Sequence, residues 1–74
     1  MSSEEAFARE LISILVDAGR GPEEIMPPAG LRAKFGNERP KADYDSGIKY
    51  AVAQNWLTYD GMYRLTGEGH AQAR

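Results

Sequence analysis

The stretch that decides the fold is NWLTYDGMYRL, residues 55–65. Within it, two short runs rich in aromatic and aliphatic residues flank the pair Asp60-Gly61. An Asp-Gly pair between two such runs is typical of a β-hairpin, because a type I′ turn needs positive φ at both central residues. The pattern therefore predicts that residues 57–59 pair antiparallel with residues 62–65. A two-residue turn would give the register Tyr59 with Met62, Thr58 with Tyr63, and Leu57 with Arg64.

The segment before the hairpin has the period of a helix. Pro40 suits a first helical turn, and the spacing of apolar residues predicts a helix over residues 41–55. Its buried stripe is predicted to comprise Tyr44, Ile48, Ala51, Val52 and Asn55. Its opposite face is predicted to carry Asp43, Ser46, Tyr50 and Ala53, with Lys49 and Gln54 on the flanks.

The rest of the chain supplies two further helices and a short extended segment. A capping box formed by Ser2 and Glu5 and a stop at Gly19 predict a helix over residues 3–18. The prolines of residues 20–28 exclude a continuous helix there, and residues 25–26 are predicted to be extended. A second helix is predicted over residues 29–35, and the tail after Gly69 has little helical propensity. The predicted core is Leu11, Ile14, Leu15, Leu31, Phe35, Ile48, Val52, Leu57 and Leu65.

Length and composition predict one small globular domain spanning residues 1–74. The chain has no cysteine, which excludes disulfides and thiolate zinc sites. Its sequence holds no run of 18 apolar residues, so no membrane span is expected. Because the first residues are acidic rather than basic, a secretory signal is not expected either, and we predict a cytoplasmic protein.

Charge is unevenly distributed along the chain. The formal net charge is −2 and the pI is about 5.3, whereas a dedicated nucleic-acid binder usually has a basic surface. Residues 1–31 contain six acidic and two basic residues, but residues 32–49 contain five basic and three acidic ones. The middle segment is therefore either a basic binding surface or an ordinary solvated helix face.

The order of predicted elements is helix, extended piece, helix, turn, helix and tight hairpin. This order resembles the winged helix-turn-helix domains of small bacterial regulators of the multiple-antibiotic-resistance and arsenical-repressor types, and of several phage regulators. The closest likeness is at Tyr63, Leu65, Thr66 and Gly69, which match the aromatic, leucine, threonine and glycine that end such a wing. Two departures are a longer connection, residues 36–40, between the second and third helices and a very short wing.

The resemblance implies an α+β fold, mostly α: a three-helix winged helix-turn-helix with a short C-terminal β-hairpin wing. It also implies double-stranded DNA as the partner, with the third helix in the major groove and a role as a transcriptional regulator or accessory DNA-binding protein. Ser46, Lys49 and Tyr50 are then the candidates for base edges, and Arg39, Lys41 and Arg64 the candidates for phosphates. The alternative is a winged-helix protein-interaction module without DNA binding, and either form could be a homodimer.

Catalytic and metal-binding patterns are not found. His70 is the only histidine, and its neighbours offer only Glu68 as a partner for a metal site or general base. The segment beginning at Asp43 starts like a calcium loop but has Ile48 where that loop requires glycine. We therefore predict no enzyme, no cofactor and no metal. The aromatic residues near the hairpin either stack on nucleobases or close the core, and the core is the expectation for Trp56 and Tyr44.

Overall fold

The structure, a computed structural model, describes residues 3–73, so the predicted capping partner Ser2 lies outside the described residues. The described chain is an α+β fold, mostly helical, with four helices and one three-stranded antiparallel sheet. The elements in chain order are α1 (Ser3–Asp17), β1 (Ile25–Met26), α2 (Pro28–Phe35), α3 (Lys41–Ala53), β2 (Leu57–Tyr59), β3 (Tyr63–Leu65) and α4 (Gly67–Gln72).

The core forms where α1 packs on α3, the most extensive contact between elements of the described chain. Leu11, Ile12 and Leu15 of α1 are completely or almost completely buried, and Gly47 of α3 lies against the backbone of Phe7. A glycine at this crossing lets the two helices approach closely, because no side chain separates them. Burial of these leucines away from water is the main force that holds α1 in place.

The predicted hairpin is confirmed, but its predicted register was wrong by one residue. The observed partners are Leu57 with Leu65, Thr58 with Arg64, and Tyr59 with Tyr63, so the loop has three residues. Gly61 has a φ of +77°, but Asp60 is not in the left-handed region that a type I′ turn requires. The observed register places Leu57 and Leu65 together on the buried face, whereas the predicted one would have placed Arg64 opposite Leu57.

The short extended segment before α2 joins the same sheet. Ile25 pairs with Arg64 and Met26 with Tyr63, which gives the strand order β1-β3-β2. Met26 is buried while Ile25 faces outward, as expected for neighbouring residues of one strand.

The end of α3 differs from the prediction. The helix ends at Ala53, and Asn55 adopts a left-handed φ of 64° that turns the chain into β2. Asparagine tolerates this conformation better than most residues, so Asn55 ends the helix and is exposed instead of lining the buried stripe.

The tail is helical, which the sequence did not predict. Thr66 caps α4, because its hydroxyl oxygen accepts a hydrogen bond of 2.9 Å from the backbone N–H of Gly69. The same hydroxyl lies 2.6 Å from the carbonyl oxygen of Asn55 and 3.0 Å from that of Trp56. The threonine therefore joins the start of α4 to the end of α3, and this tertiary contact outweighs the low helix propensity of Gly67 and Gly69.

Six of the nine predicted core residues are buried, namely Leu11, Leu15, Leu31, Phe35, Leu57 and Leu65. Val52 was predicted wrongly, since 42% of it is exposed, and Ile14 and Ile48 are only half-buried. The reason is the direction of α3, which turns Gly47 and Ala51 towards α1 and leaves Val52 at the edge. The buried apolar residues outside that list of nine are Ala8, Ile12, Met26, Tyr44, Ala51, Trp56 and Tyr63. Tyr44 and Ala51 were predicted in the buried stripe of the third helix, and burial was also the expectation for Trp56.

Leu15→Ala is expected to lower the free energy of unfolding by about 2 kcal/mol, because it removes buried methyl groups and leaves a cavity. The value lies at the low end for leucine because a domain this thin can partly close around the gap. Val52→Ala is the matched control, and its expected cost is below about 1 kcal/mol because Val52 is largely in contact with water. Denaturant unfolding of both variants measures the difference, and equal losses would contradict the observed direction of α3.

Candidate nucleic-acid interface

The outward face of α3 carries small and charged side chains. Its exposed residues are Lys41, Ala42, Asp45, Lys49, Val52 and Ala53, and Ser46 is half-buried beside them. Three of these seven side chains are no larger than serine, so another molecule could approach the helix backbone closely. The face is mixed in charge, with two lysines and one aspartate.

Lys49 is the cation of this face that is free to bind a ligand. Its side chain is exposed, and among residues 3–73 it has no hydrogen bond or ion pair. Lys41, in the first turn of α3, forms an ion pair with Asp45, in which Nζ lies 2.8 Å from Oδ2. Both members of that pair are solvated, so the pair contributes less than about 0.5 kcal/mol and Lys41 can exchange Asp45 for another anion.

Arg39, a predicted phosphate contact, is bound by other residues of the domain. Both terminal nitrogens of its guanidinium bond the Glu10 carboxylate of α1, with Nη2 lying 3.1 Å from Oε1. The guanidinium carbon also lies 3.8 Å from the centre of the Phe35 ring. The hydrogen bond to Glu10 raises the pKa of Arg39 above its usual value. Arg39 therefore joins the start of α3 to α1 and α2, and binding a phosphate would require breaking this arrangement.

Tyr50, predicted to be exposed for base contact, is half-buried instead. Its ring packs edge-on against Trp56 with the ring centres 5.5 Å apart, and its hydroxyl donates to the Glu5 carboxylate at 3.3 Å. Burial, with a further contribution from Glu5, raises the pKa of Tyr50. The prediction of exposure was wrong. Tyr50 does lie opposite part of the predicted apolar stripe of α3, but that side of the helix faces α1.

Arg64 lies on the outward face of the sheet, at the centre of the middle strand. Its cross-strand neighbours are Ile25 on β1 and Thr58 on β2, and all three side chains are exposed. Among residues 3–73, the one hydrogen-bond contact of its side chain is from Nη1 to the carbonyl oxygen of Glu23, at 3.5 Å. This contact is long for a hydrogen bond, so Arg64 remains available to an external anion.

The aromatic residues divide between the core and the surface. Trp56, Tyr44 and Tyr63 are buried, which confirms the core expectation for the first two. Tyr59 is 59% exposed, with its ring centre 5.1 Å from that of Tyr63. Sequence reasoning proposed Tyr50 as the exposed aromatic and missed Tyr59. Because side chains alternate between the two faces of a strand, Tyr59 lies on the same inner face of the sheet as Leu57. It is nevertheless exposed, because it lies at the tip of the hairpin, beyond the core.

Residues 3–73 contain no group of three or more His, Asp or Glu side chains arranged to hold a metal ion. None of their helices combines the length and the apolar character that crossing a membrane requires. Comparisons with known protein families, with curated proteins and with solved structures find no match to this chain.

Proposed function

We propose that this chain is a winged helix-turn-helix domain that binds double-stranded DNA through the outward face of α3 and through the β2–β3 hairpin. The observation that carries the proposal is the arrangement of elements around α3. This helix follows α2 across one connection, ends directly before the hairpin, and packs against β2. The strand between α1 and α2 completes the sheet in the order β1-β3-β2, which supports a wing rather than an isolated hairpin.

Three side chains form the centre of the proposed contact. Lys49 and Arg64 are exposed cations suited to phosphates, and Ser46, one turn from Lys49, is the candidate for a base edge. The neighbouring alanines of α3 would allow the helix to enter a major groove without large side chains in the way. Arg39 and Tyr50 leave the candidate set, because both are engaged within the domain.

The expected affinity is modest and electrostatic. Lys49, Arg64 and a Lys41 released from Asp45 give about three phosphate contacts. Each contact should contribute about −0.9 to the slope of log affinity against log salt concentration. The role we propose is that of a transcriptional regulator or accessory DNA-binding protein. In a bacterial cell this role requires a cytoplasmic location.

Lys49→Ala is expected to weaken binding to a 20-base-pair duplex by about 3- to 10-fold at low salt. It should also reduce the magnitude of the slope of log affinity against log salt concentration by about 0.9, because one phosphate contact is lost. Fluorescence anisotropy titrations at several salt concentrations measure both quantities. Arg20→Ala is the control, since Arg20 lies in the acidic loop after α1, where its Nε donates to the Ile25 carbonyl oxygen at 2.9 Å.

The control decides whether a loss is local to the proposed surface. If Arg20→Ala weakens binding as much as Lys49→Ala, the domain attracts DNA only through its overall charge, and the proposed interface is wrong. If Ser46→Ala changes the order of affinities for duplexes of different sequence while Lys49→Ala does not, the assignment of Ser46 to bases and Lys49 to phosphates is supported.

A second candidate function is a protein-interaction module with the same fold. Two of the six predicted DNA contacts, Arg39 and Tyr50, are engaged by other elements of the domain, and a third, Lys41, is paired with Asp45 at the surface. Val52 on α3 and Tyr59 on the hairpin also expose apolar surface that DNA phosphates would not cover. Absence of duplex binding by the parent protein at low salt would favour this candidate.

A further inference from the structure

Arg32 of α2 binds the connection between α2 and α3 at both of its ends. Its Nη1 donates to the carbonyl oxygen of Gly36 at 2.6 Å, and its Nη2 donates to that of Arg39 at 2.6 Å. A longer contact of 3.5 Å joins Nη2 to the carbonyl oxygen of Asn37. One guanidinium group therefore contacts the carbonyl oxygens of three of the five residues 36–40, where the backbone itself forms one turn bond, from the Arg39 N–H to the Gly36 carbonyl oxygen.

The same guanidinium lies against two aromatic rings of the core. Its carbon is 5.4 Å from the centre of the Tyr44 ring on α3 and 5.9 Å from that of Phe35 on α2. Those two rings pack edge to face, with their centres 5.7 Å apart. Arg32 thus contacts both helices as well as the segment that joins them. Only a planar fork with several fixed donors can make these bonds at once, and a lysine ammonium cannot reproduce them.

We propose that Arg32 is a positioning residue that fixes the direction of α3 relative to α2, and so determines how α3 presents Lys49 to DNA. The inference rests on the proposed function. The connection it holds is five residues long, residues 36–40, with Gly36 at a φ of +114°. Within it, the Arg39 N–H donates to the Gly36 carbonyl oxygen at 3.1 Å, and the Arg39 side chain binds Glu10 of α1. Arg32 is the group that bonds carbonyl oxygens near both ends of the connection and also packs on Tyr44 of α3, so it restrains the direction of α3 relative to α2.

A double-mutant cycle tests the role without relying on overall stability. Arg32→Lys keeps the charge but loses the fork, and Lys34→Arg makes the reverse exchange at an exposed position of the same helix as the control. Lys49→Ala and Arg64→Ala are then introduced into the parent and into both backgrounds. Duplex affinity is measured at a temperature at which thermal melts show every variant folded, and hydrogen exchange is followed at the amide of Arg39, the bonded amide of the connection's turn.

Arg32→Lys is expected to raise the hydrogen-exchange rate of the Arg39 amide, whose N–H donates to the Gly36 carbonyl oxygen. It should also shrink the effect of Lys49→Ala from 3- to 10-fold to less than about twofold. The effect of Arg64→Ala should be unchanged, because the neighbours of Arg64 lie on the sheet and in the loop before β1, away from the α2–α3 connection. Lys34→Arg should alter neither quantity. Arg32→Gln, which retains a planar group, gives a second measurement if Arg32→Lys is not folded under the conditions of the titration.

The results that overturn the inference are separate from those that overturn the function. If exchange rises but the Lys49→Ala effect is intact, Arg32 holds the connection without positioning α3, while DNA binding stands. If the exchange rate of the Arg39 amide does not rise, Arg32 does not restrain the connection. If the parent protein shows no salt-dependent duplex binding, the proposed function fails and this positioning role fails with it.

Discussion

Gly69→Ala is expected to lower the free energy of unfolding by about 3–5 kcal/mol, the largest effect we expect of any single methyl group. A Cβ at this position would lie 2.2 Å from the carbonyl oxygen of Trp56 and 3.0 Å from Cδ1 of Leu65. That oxygen is held in place, because it accepts a hydrogen bond of 3.1 Å from the backbone N–H of Thr66, and the Thr66 hydroxyl lies 3.0 Å away. Since a domain of this size has only about 5 kcal/mol of stability, the variant should be largely unfolded.

Gly67→Ala is the control two residues earlier in the same helix. A Cβ at Gly67 would have nothing within 4 Å, and the residue is helical, so alanine should stabilise the protein by up to about 1 kcal/mol. Guanidinium unfolding followed by Trp56 fluorescence measures both variants. A Gly69→Ala variant as stable as the parent would show that α4 does not pack on Trp56 as described.

Gly47→Ala is expected to lower the free energy of unfolding by about 2–3 kcal/mol, because it overpacks the crossing of α1 and α3. A Cβ there would lie 2.7 Å from Cδ1 of Leu11 and 3.0 Å from the backbone carbonyl carbon of Phe7. The tip of Leu11 can rotate away, but the backbone of Phe7 can yield only if the two helices separate. Separation would loosen the contact that buries Leu11 and Leu15.

Gly30→Ala in α2 is the matched control for Gly47→Ala. Its nearest neighbour would be Cγ of Met26 at 3.8 Å, an ordinary contact, so the gain in helix propensity should stabilise the domain by up to about 1 kcal/mol. Thermal melts of the two variants should therefore move in opposite directions. Stabilisation by both substitutions would mean that Gly47 does not lie at a close helix crossing.

Much of the fold was predictable because it rests on local signals. The Asp60-Gly61 pair, the change of period near residue 55 and the prolines of residues 20–28 predicted the hairpin, the end of the third helix to within two residues, and the extended segment. The register was not predictable from the turn alone, since it depends on which face of the sheet is buried. The helix α4 was missed because a capping hydroxyl and a tertiary contact with Trp56 compensate for two glycines.

The candidate surface was harder to predict than the fold. Sequence reasoning placed six residues on or beside the third helix and the hairpin, but it could not detect partners distant along the chain. Glu10 binds Arg39 across 29 residues, and Glu5 binds Tyr50 across 45. Lys49 and Arg64 remain exposed as expected. A helical wheel shows which side of a helix lies opposite its apolar stripe, but it does not show where the neighbouring helices pack.

The salt dependence of duplex binding by the unmodified protein tests the proposed function most directly. Anisotropy titrations of a labelled 20-base-pair duplex, from about 20 mM to about 200 mM salt, give the slope of log affinity against log salt concentration. Phosphate contacts from Lys49, Arg64 and Lys41 predict a slope of about −2 to −3. A slope near zero, or no binding at the lowest salt concentration, would contradict DNA binding by this surface.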